Sequence, residues 1–284
     1  MNNSENVKNY YNEVADEYND VFYIKENEYP PLKYRHNYIL KMIADENLSP
    51  DAKILDIGCG PGELVLDLSK NFNCIFGIDI SEEMIKIGSN KLKAQNIQEK
   101  SIIFDTGDIE HLVFEDNYFD VIICSGVVEY LKTDNLWIKE VSRILKSEGI
   151  LIVNVTNKFA VRRWTMPIFS VIKLIPGFYS FMNFTKTKLL GMEKLNKFPF
   201  KPRTHSPNEF DEFLKINGFS KISHNYFDFS IFPYPIDTFL NFIFLKIRKR
   251  MEKNSASNSW LTGNGYIVKC KKLNNVWFCH DNRK

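Results

Sequence analysis

Three glycines, Gly58, Gly60 and Gly62, follow directly on the apolar run Ile54-Leu-Asp-Ile57, and Asp79 closes the next one, Cys74-Ile-Phe-Gly-Ile78. A strand that breaks into a glycine-rich turn lets the backbone approach a ligand with no Cβ in the way. An acidic residue about twenty positions later, at the tip of the second strand, is placed to accept hydrogen bonds from ribose hydroxyls. Together these residues predict a nucleoside-bearing cofactor. A dinucleotide fingerprint would carry a third glycine three residues after the second. Glu63 stands there instead, which disfavours an NAD-type oxidoreductase.

The elements that must hold these residues read as alternating strands and helices. Helices are expected over 7–23 and over Leu32–Asn47, the second burying Ile39, Met42 and Ile43. Strands follow at Lys53–Ile57, Cys74–Ile78, Ile102–Asp105, Phe119–Cys124 and Ile150–Val155, with helices at Gly62–Lys70, from the Ser81 N-cap to about Lys93, and at Asn135–Leu145. Near-continuous apolar strands separated by helices argue for a parallel sheet covered on both faces. Ligands of such sheets sit at the carboxyl ends of the strands, where Gly58, Asp79, Asp108 and Ser125 all fall. Further on, Ser206-Pro-Asn-Glu209 reads as a capping box opening a helix that Gly218 closes. Phe219–Phe229 reads as strand 6, Ile236–Lys253 as an amphipathic helix, and Gly265–Lys271 as the last strand.

The G-x-G-x-G spacing, with Asp56 before it, resembles motif I of the class I S-adenosylmethionine-dependent methyltransferases. Asp79-Ile-Ser81 is similar to that family's acidic ribose loop. Thr106-Gly-Asp108-Ile109 is similar to its adenine-binding segment, and Phe119–Leu131 to its strand 4 motif. Glu140–Gly149 followed by Ile150–Val155 is similar to the last helix and fifth strand of the cofactor half. The likeness spans residues 7–156, and 203–272 more loosely. It implies a Rossmann-like, seven-stranded, mostly parallel α/β sheet with an antiparallel final strand. It also implies S-adenosyl-L-methionine as cofactor, held by Tyr11, Tyr18, Asp56, Gly58, Cys59, Gly60, Gly62, Asp79, Ile80, Met84, Asp108, Ile109 and Ser125. Glu129 and His205 are the candidates to take a proton from a hydroxyl acceptor. A catalytically silent binding partner on the same fold is the other reading.

Three parts are expected: an N-terminal helical cap (1–50), the cofactor domain (51–157 and 206–272), and an aromatic and basic insertion (158–205). The net charge of +2 is unevenly spread. From Lys158 to His205 there are ten Lys or Arg and one acid, whereas residues 1–30 hold seven acids against Lys8 and Lys25. Trp164–Phe184 carries only Lys173, but Pro167 and Pro176-Gly177 interrupt it, so a membrane span is not expected. The insertion reads as a lid over a small-molecule or lipid-like acceptor, with peripheral contact to an anionic membrane as a compatible role. The segment after strand 4, Cys-Ser-Gly-Val, lacks the Asn/Asp-Pro-Pro-Tyr type motif of base-amino methyltransferases, which argues against nucleic acid. Five scattered cysteines and the absence of a secretory leader pattern point to reduced thiols in the cytoplasm, with no metal site. The tail from Leu273 carries Trp277 and Phe278 and has no assigned role.

Overall fold

The computed structural model describes residues 3–19, 31–95, 101–172, 201–232, 240–256 and 263–274, together with Gly177 and Asp237. The first half runs α1 (Asn3–Asn19), α2 (Pro31–Ala44), β1 (Lys53–Ile57), α3 (Glu63–Leu68), β2 (Cys74–Asp79), α4 (Glu82–Ala94), β3 (Ser101–Thr106) and β4 (Phe119–Cys124). After a 3₁₀ turn at Val128–Tyr130 come α5 (Asn135–Ile144), β5 (Leu145–Thr156), α6 (Val161–Ile172), α7 (Pro207–Ile216), β6 (Phe219–Phe227), α8 (Asn241–Lys253) and β7 (Gly265–Lys272).

The seven strands form one sheet in the order β3-β2-β1-β4-β5-β7-β6. β1 to β5 are parallel, and β7 lies antiparallel between β5 and β6. The chain steps outward from β1 to β3 and then crosses back to β4 on the other side of β1, so the switch point lies between β1 and β4. There the connecting segments diverge and leave a crevice at the strands' carboxyl ends.

Strand alternation sorts the core into two layers. Leu55, Ile57 and Ile122 face one layer with Trp137 and Val141 of α5, while Ile54, Val121 and Ile123 face the other with Ile39 and Ile43 of α2 and Val65 of α3. These side chains are almost wholly buried, each worth about 1.5–3 kcal/mol relative to exposure.

Several expected boundaries move. α1 begins at Asn3, and residues 20–23 lie outside the described residues. β5 begins at Leu145, with Glu148 at φ +63° and a register break opposite Phe119 and Val121. Ser206 is the N-cap of α7, but its hydroxyl makes no capping bond, so the capping box is absent. The helix start is held by Pro207 and by His205, whose backbone pairs with Thr156 and Lys158. Of the expected 236–253 helix, α8 supplies Asn241–Lys253, Asp237 is helical as well, and positions 236, 238 and 239 lie outside the described residues; β6 ends at Phe227. Cys59, Cys74, Cys124 and Cys270 are free thiols. Residues 173–200 of the insertion (Gly177 aside), and Trp277 and Phe278 of the tail, lie outside the described residues.

Candidate active site

The glycine turn is latched to β2. Gly58 and Cys59 both donate backbone N–H to Ile78 O, at 2.7 and 3.0 Å. Asp79 accepts from Gly60 N and from Ser81 N, each at 2.9 Å. Gly58 sits at φ +71°, and a Cβ there would fall 2.1 Å from Val127 Cγ2. That close approach joins the glycine turn to the segment after β4. Ser81 caps α4 by accepting from Met84 N and donates to Asn12 Oδ1 at 2.7 Å, which ties α1 over the crevice. Lys8 and Glu82, 2.6 Å apart, add a second tie.

The result is a cavity of about 350 Å³. One end is walled by Asp79, Ile80, Met84, Asp108 and Ile109, with Gly58, Cys59 and Gly60 along its floor. Ser125, Gly126, Val127 and Glu129 wall the other end, and Tyr11, Tyr18 and Tyr130 cover it. Tyr11 packs edge-on against both Tyr18 and Tyr130, with ring centroids 6.0 Å apart in each pair. Asp108 spends Oδ1 on Glu110 N at 3.0 Å, so it shapes its own turn as well as facing the cavity.

Three expected site residues stand back from this wall. Gly62 is the N-cap of α3 at φ +83°, and a Cβ there would strike the Phe104 ring at 2.5 Å. It permits helix–strand packing and does not line the cavity. Asp56 is buried within β1 on the α2 side of the sheet. Burial above all, with Asp79 adding and Arg35 opposing, pushes its carboxyl up to about 8. His205 also lies off the cavity wall, with Nε2 3.3 Å from Asp134 Oδ2.

Sequence reasoning missed Arg35. It is the one Lys or Arg lining the cavity among the described residues, and its Nη1 lies 3.0 Å from where a Cβ on Gly126 would be. The signal was present: Arg35 shares a helical face with the core residues Ile39, Met42 and Ile43, and a charge on a buried face calls for a partner.

The raised Asp56 carboxyl has a consequence for stability. Its folded affinity for the proton exceeds that of the unfolded chain, so its contribution is fully present below about pH 4. It is lost as pH rises through about 8. Asp56→Asn is therefore expected to flatten the alkaline fall. Above pH 8 the variant gains at least about 1.4 kcal/mol over wild type, the equivalent of one pKa unit, and the gain shrinks towards pH 4. Denaturant titrations at pH 5 and 8.5 check this.

These parts suit a nucleoside cofactor that ends in an amino acid. Asp79 at a strand tip has an acidic acceptor for a ribose diol, and the glycine floor presents no side chains. Arg35 offers a cation beside Gly126, and the Ser125 hydroxyl is buried with no hydrogen-bond partner in the protein. Residues 55–153 match the family model described as a methyltransferase domain. The uncharacterised protein MJ1252 of Methanocaldococcus jannaschii is 30% identical over 243 residues, covering 84% of this chain and 86% of that one. Bacillus subtilis YqeM is 36% identical over 121 residues, 41% of this chain and about half (47%) of its own length. A demethylmenaquinone methyltransferase of Lactobacillus johnsonii is 28% identical over 179 residues, covering 59% of this chain and 68% of that enzyme. The magnesium protoporphyrin IX methyltransferase of Synechocystis, solved with S-adenosylhomocysteine bound, shares the fold at TM-score 0.64 and 15% identity, covering 95% of this chain and all of that one.

Fold and site together define a doubly wound α/β protein with a ligand crevice at its switch point. The chain belongs to the class I S-adenosylmethionine-dependent methyltransferases. Its cofactor is S-adenosyl-L-methionine.

Proposed function

We propose that this enzyme methylates a hydrophobic or amphipathic small molecule, or a lipid-linked acceptor, at oxygen, and that Glu129 takes the proton. The observation that carries this reading is Glu129 itself. It is buried in the cavity wall beside three tyrosines, and its Oε2 finds no hydrogen-bond partner in the protein. An unpaired buried carboxylate oxygen is costly unless a ligand meets it. Burial pushes the Glu129 carboxyl up, opposed by its own backbone N–H and by Arg35, His205 and Arg203, and a base tuned upward suits proton transfer near neutrality.

When bound, the cofactor supplies a methyl group on a sulfonium, already a good leaving group. The protein's share is alignment, which contributes roughly 7–11 kcal/mol in well-oriented systems. Asp79 and the glycine floor fix the nucleoside end, while Arg35 and Ser125 orient the amino-acid end. The tyrosines exclude water, and Glu129 accepts the acceptor's proton. The quinone-directed relative supports an apolar acceptor.

Glu129→Gln is expected to lower methyl transfer by about 10²–10⁴-fold. Cofactor affinity should stay within about twofold, because this side chain stands apart from the nucleoside end. The assay follows radiolabelled methyl from S-adenosylmethionine into an organic-solvent lipid extract. Full turnover in the variant would leave alignment alone as the mechanism. Calorimetry with S-adenosylmethionine, S-adenosylhomocysteine and NAD completes the test, with binding expected for the first two only.

The same reading places the enzyme at an anionic membrane surface. α8 is turned inside out: Arg248 and Glu252 are 2% and 3% exposed, whereas Ile243 and Ile247 are 53% and 55% exposed. Lys246, Lys249, Arg250 and Lys253 stand exposed around those isoleucines. The buried charges are matched, Arg248 by Asp237 at 2.6 Å and Glu252 by Tyr38 at 2.7 Å. On α6, Trp164 and Met166 are exposed as well. The two helices meet through one segment, since Thr165 donates to Ile231 O and Phe232 packs on Phe244. Apolar groups among bases suit a headgroup layer. No helix among the described residues is long and apolar enough to cross a membrane. Co-sedimentation with phosphatidylglycerol vesicles is expected at low salt, fading towards about 0.5 M as charges are screened. Ile243→Ser/Ile247→Ser should weaken it at every salt concentration. Indifference to lipid charge and salt would remove the membrane and leave a purely protein-lined acceptor pocket.

A further inference from the structure

Behind Glu129 the cavity wall is backed by residues 201–205. Arg203 N donates to Glu129 O at 2.8 Å, and its Nη2 donates to Val128 O at 3.2 Å. Two residues on, His205 is stitched to the end of β5: its N donates to Thr156 O, and its O accepts from Lys158 N, both at 2.9 Å. Asp134 gathers the side chains. It accepts from Arg203 Nη2, lies 3.3 Å from His205 Nε2, and accepts from Trp137 Nε1 at 3.0 Å. Burial acts to raise its carboxyl, but these bonds outweigh it and hold the group down at about 2. Asp134 is thus anionic throughout the neutral range.

The cluster is also incompletely satisfied. His205 Nδ1 and Arg203 Nε are buried without a hydrogen-bond partner in the protein, as is Glu129 Oε2 in front of them. Buried polar atoms are rarely left so, and three around one carboxylate call for an explanation beyond packing. Two basic side chains set behind a buried carboxylate in a low-dielectric wall favour its charged form.

We propose that Asp134, Arg203 and His205 form a positioning cluster that fixes Glu129 in the cavity wall and governs its protonation. The proposal rests on the reading of Glu129 as the acceptor-side base. Glu129 also faces Arg35 from α2, Tyr11 and Tyr18 from α1, and its neighbour Tyr130. Those groups are untouched by changes in the cluster. Arg203 and His205 favour the ionised carboxylate, and Asp134 moderates them. His205 accordingly acts through Glu129 rather than on the acceptor.

The test is a carbon-13 titration of the glutamate carboxyls in the full chain, with the Glu129 resonance assigned by its loss in Glu129→Gln. Arg203→Gln is expected to move the Glu129 midpoint up by about one pH unit. His205→Asn should move it the same way by at least as much, and Asp134→Asn should move it down. Arg203→Lys should hold the midpoint near wild type. Opposite signs from neighbouring substitutions cannot come from loosened packing, which would lower thermal stability in all of them alike. Unmoved midpoints, or shifts of one sign throughout, would overturn the proposal. Should Arg203→Gln fail to fold, the isosteric Asp134→Asn still decides by its sign. The titration needs no acceptor, so its failure is distinct from loss of turnover in Glu129→Gln, which bears on the methyl-transfer reading.

Discussion

Asp79→Ala should lower affinity for S-adenosylhomocysteine by at least 10–100-fold by calorimetry, the equivalent of about 1.5–3 kcal/mol for charge-assisted bonds to a ribose. The lower bound counts only the ligand. Asp79 also accepts from Gly60 N and Ser81 N, so truncation unlatches the glycine floor and frees the turn that starts α4. Asp79→Asn, which keeps one acceptor oxygen, should fall between. The fold should survive both changes, because burial drives the Asp79 carboxyl upward and its removal relieves that cost. Unchanged ligand affinity in the alanine variant would end the ribose assignment.

The largest effect on stability is expected at Gly58. An alanine there must adopt φ +71°, at about 1–2 kcal/mol, and its Cβ would meet Val127 Cγ2 at 2.1 Å, adding an overpacking cost of about 1–3 kcal/mol. Gly58→Ala should therefore lose about 2–5 kcal/mol in denaturant unfolding. Val127→Ala removes the struck methyl and leaves its Cβ at 3.6 Å from the new one, an ordinary contact. The double variant should recover the packing share and keep the backbone strain. Strict additivity of the two changes would show that the close approach does not govern this turn.

The central strands were legible because a strand buried on both faces must be apolar throughout, and Lys53–Ile57 and Phe119–Cys124 stand as read. The glycine turn was legible for a related reason, since backbone approach to a ligand excludes side chains. Function of individual residues in that motif was less so. Gly62 serves the contact with Phe104, and Asp56 shares the α2 face with Ile54, because alternation in a strand apolar on both faces groups side chains without saying which face meets the ligand. Arg35 was legible only as a charge on the face of α2 that buries Ile39, Met42 and Ile43, which calls for a partner without naming it. His205 was read, with Glu129, as a candidate to take the acceptor's proton, and it lies off the cavity wall beside Asp134. Its partner Asp134 lies 71 positions away, a pairing that only the folded chain brings together.

The position of β7 has a consequence for how the molecule comes into being. The last strand of the sheet to be synthesised lies between β5 and β6, bonded to both from Ile150–Thr156 on one side and Phe219–Phe227 on the other. Until Gly265–Lys272 has left the ribosome, β6 has no neighbour in the sheet and β5 presents an open edge of apolar backbone. A nascent chain of this protein is thus an unfinished sheet with a gap one strand wide, and such edges invite pairing with other chains. Completion of the sheet waits on β7. Synthesis stalled between β6 and β7 would yield an aggregation-prone intermediate rather than a smaller working enzyme.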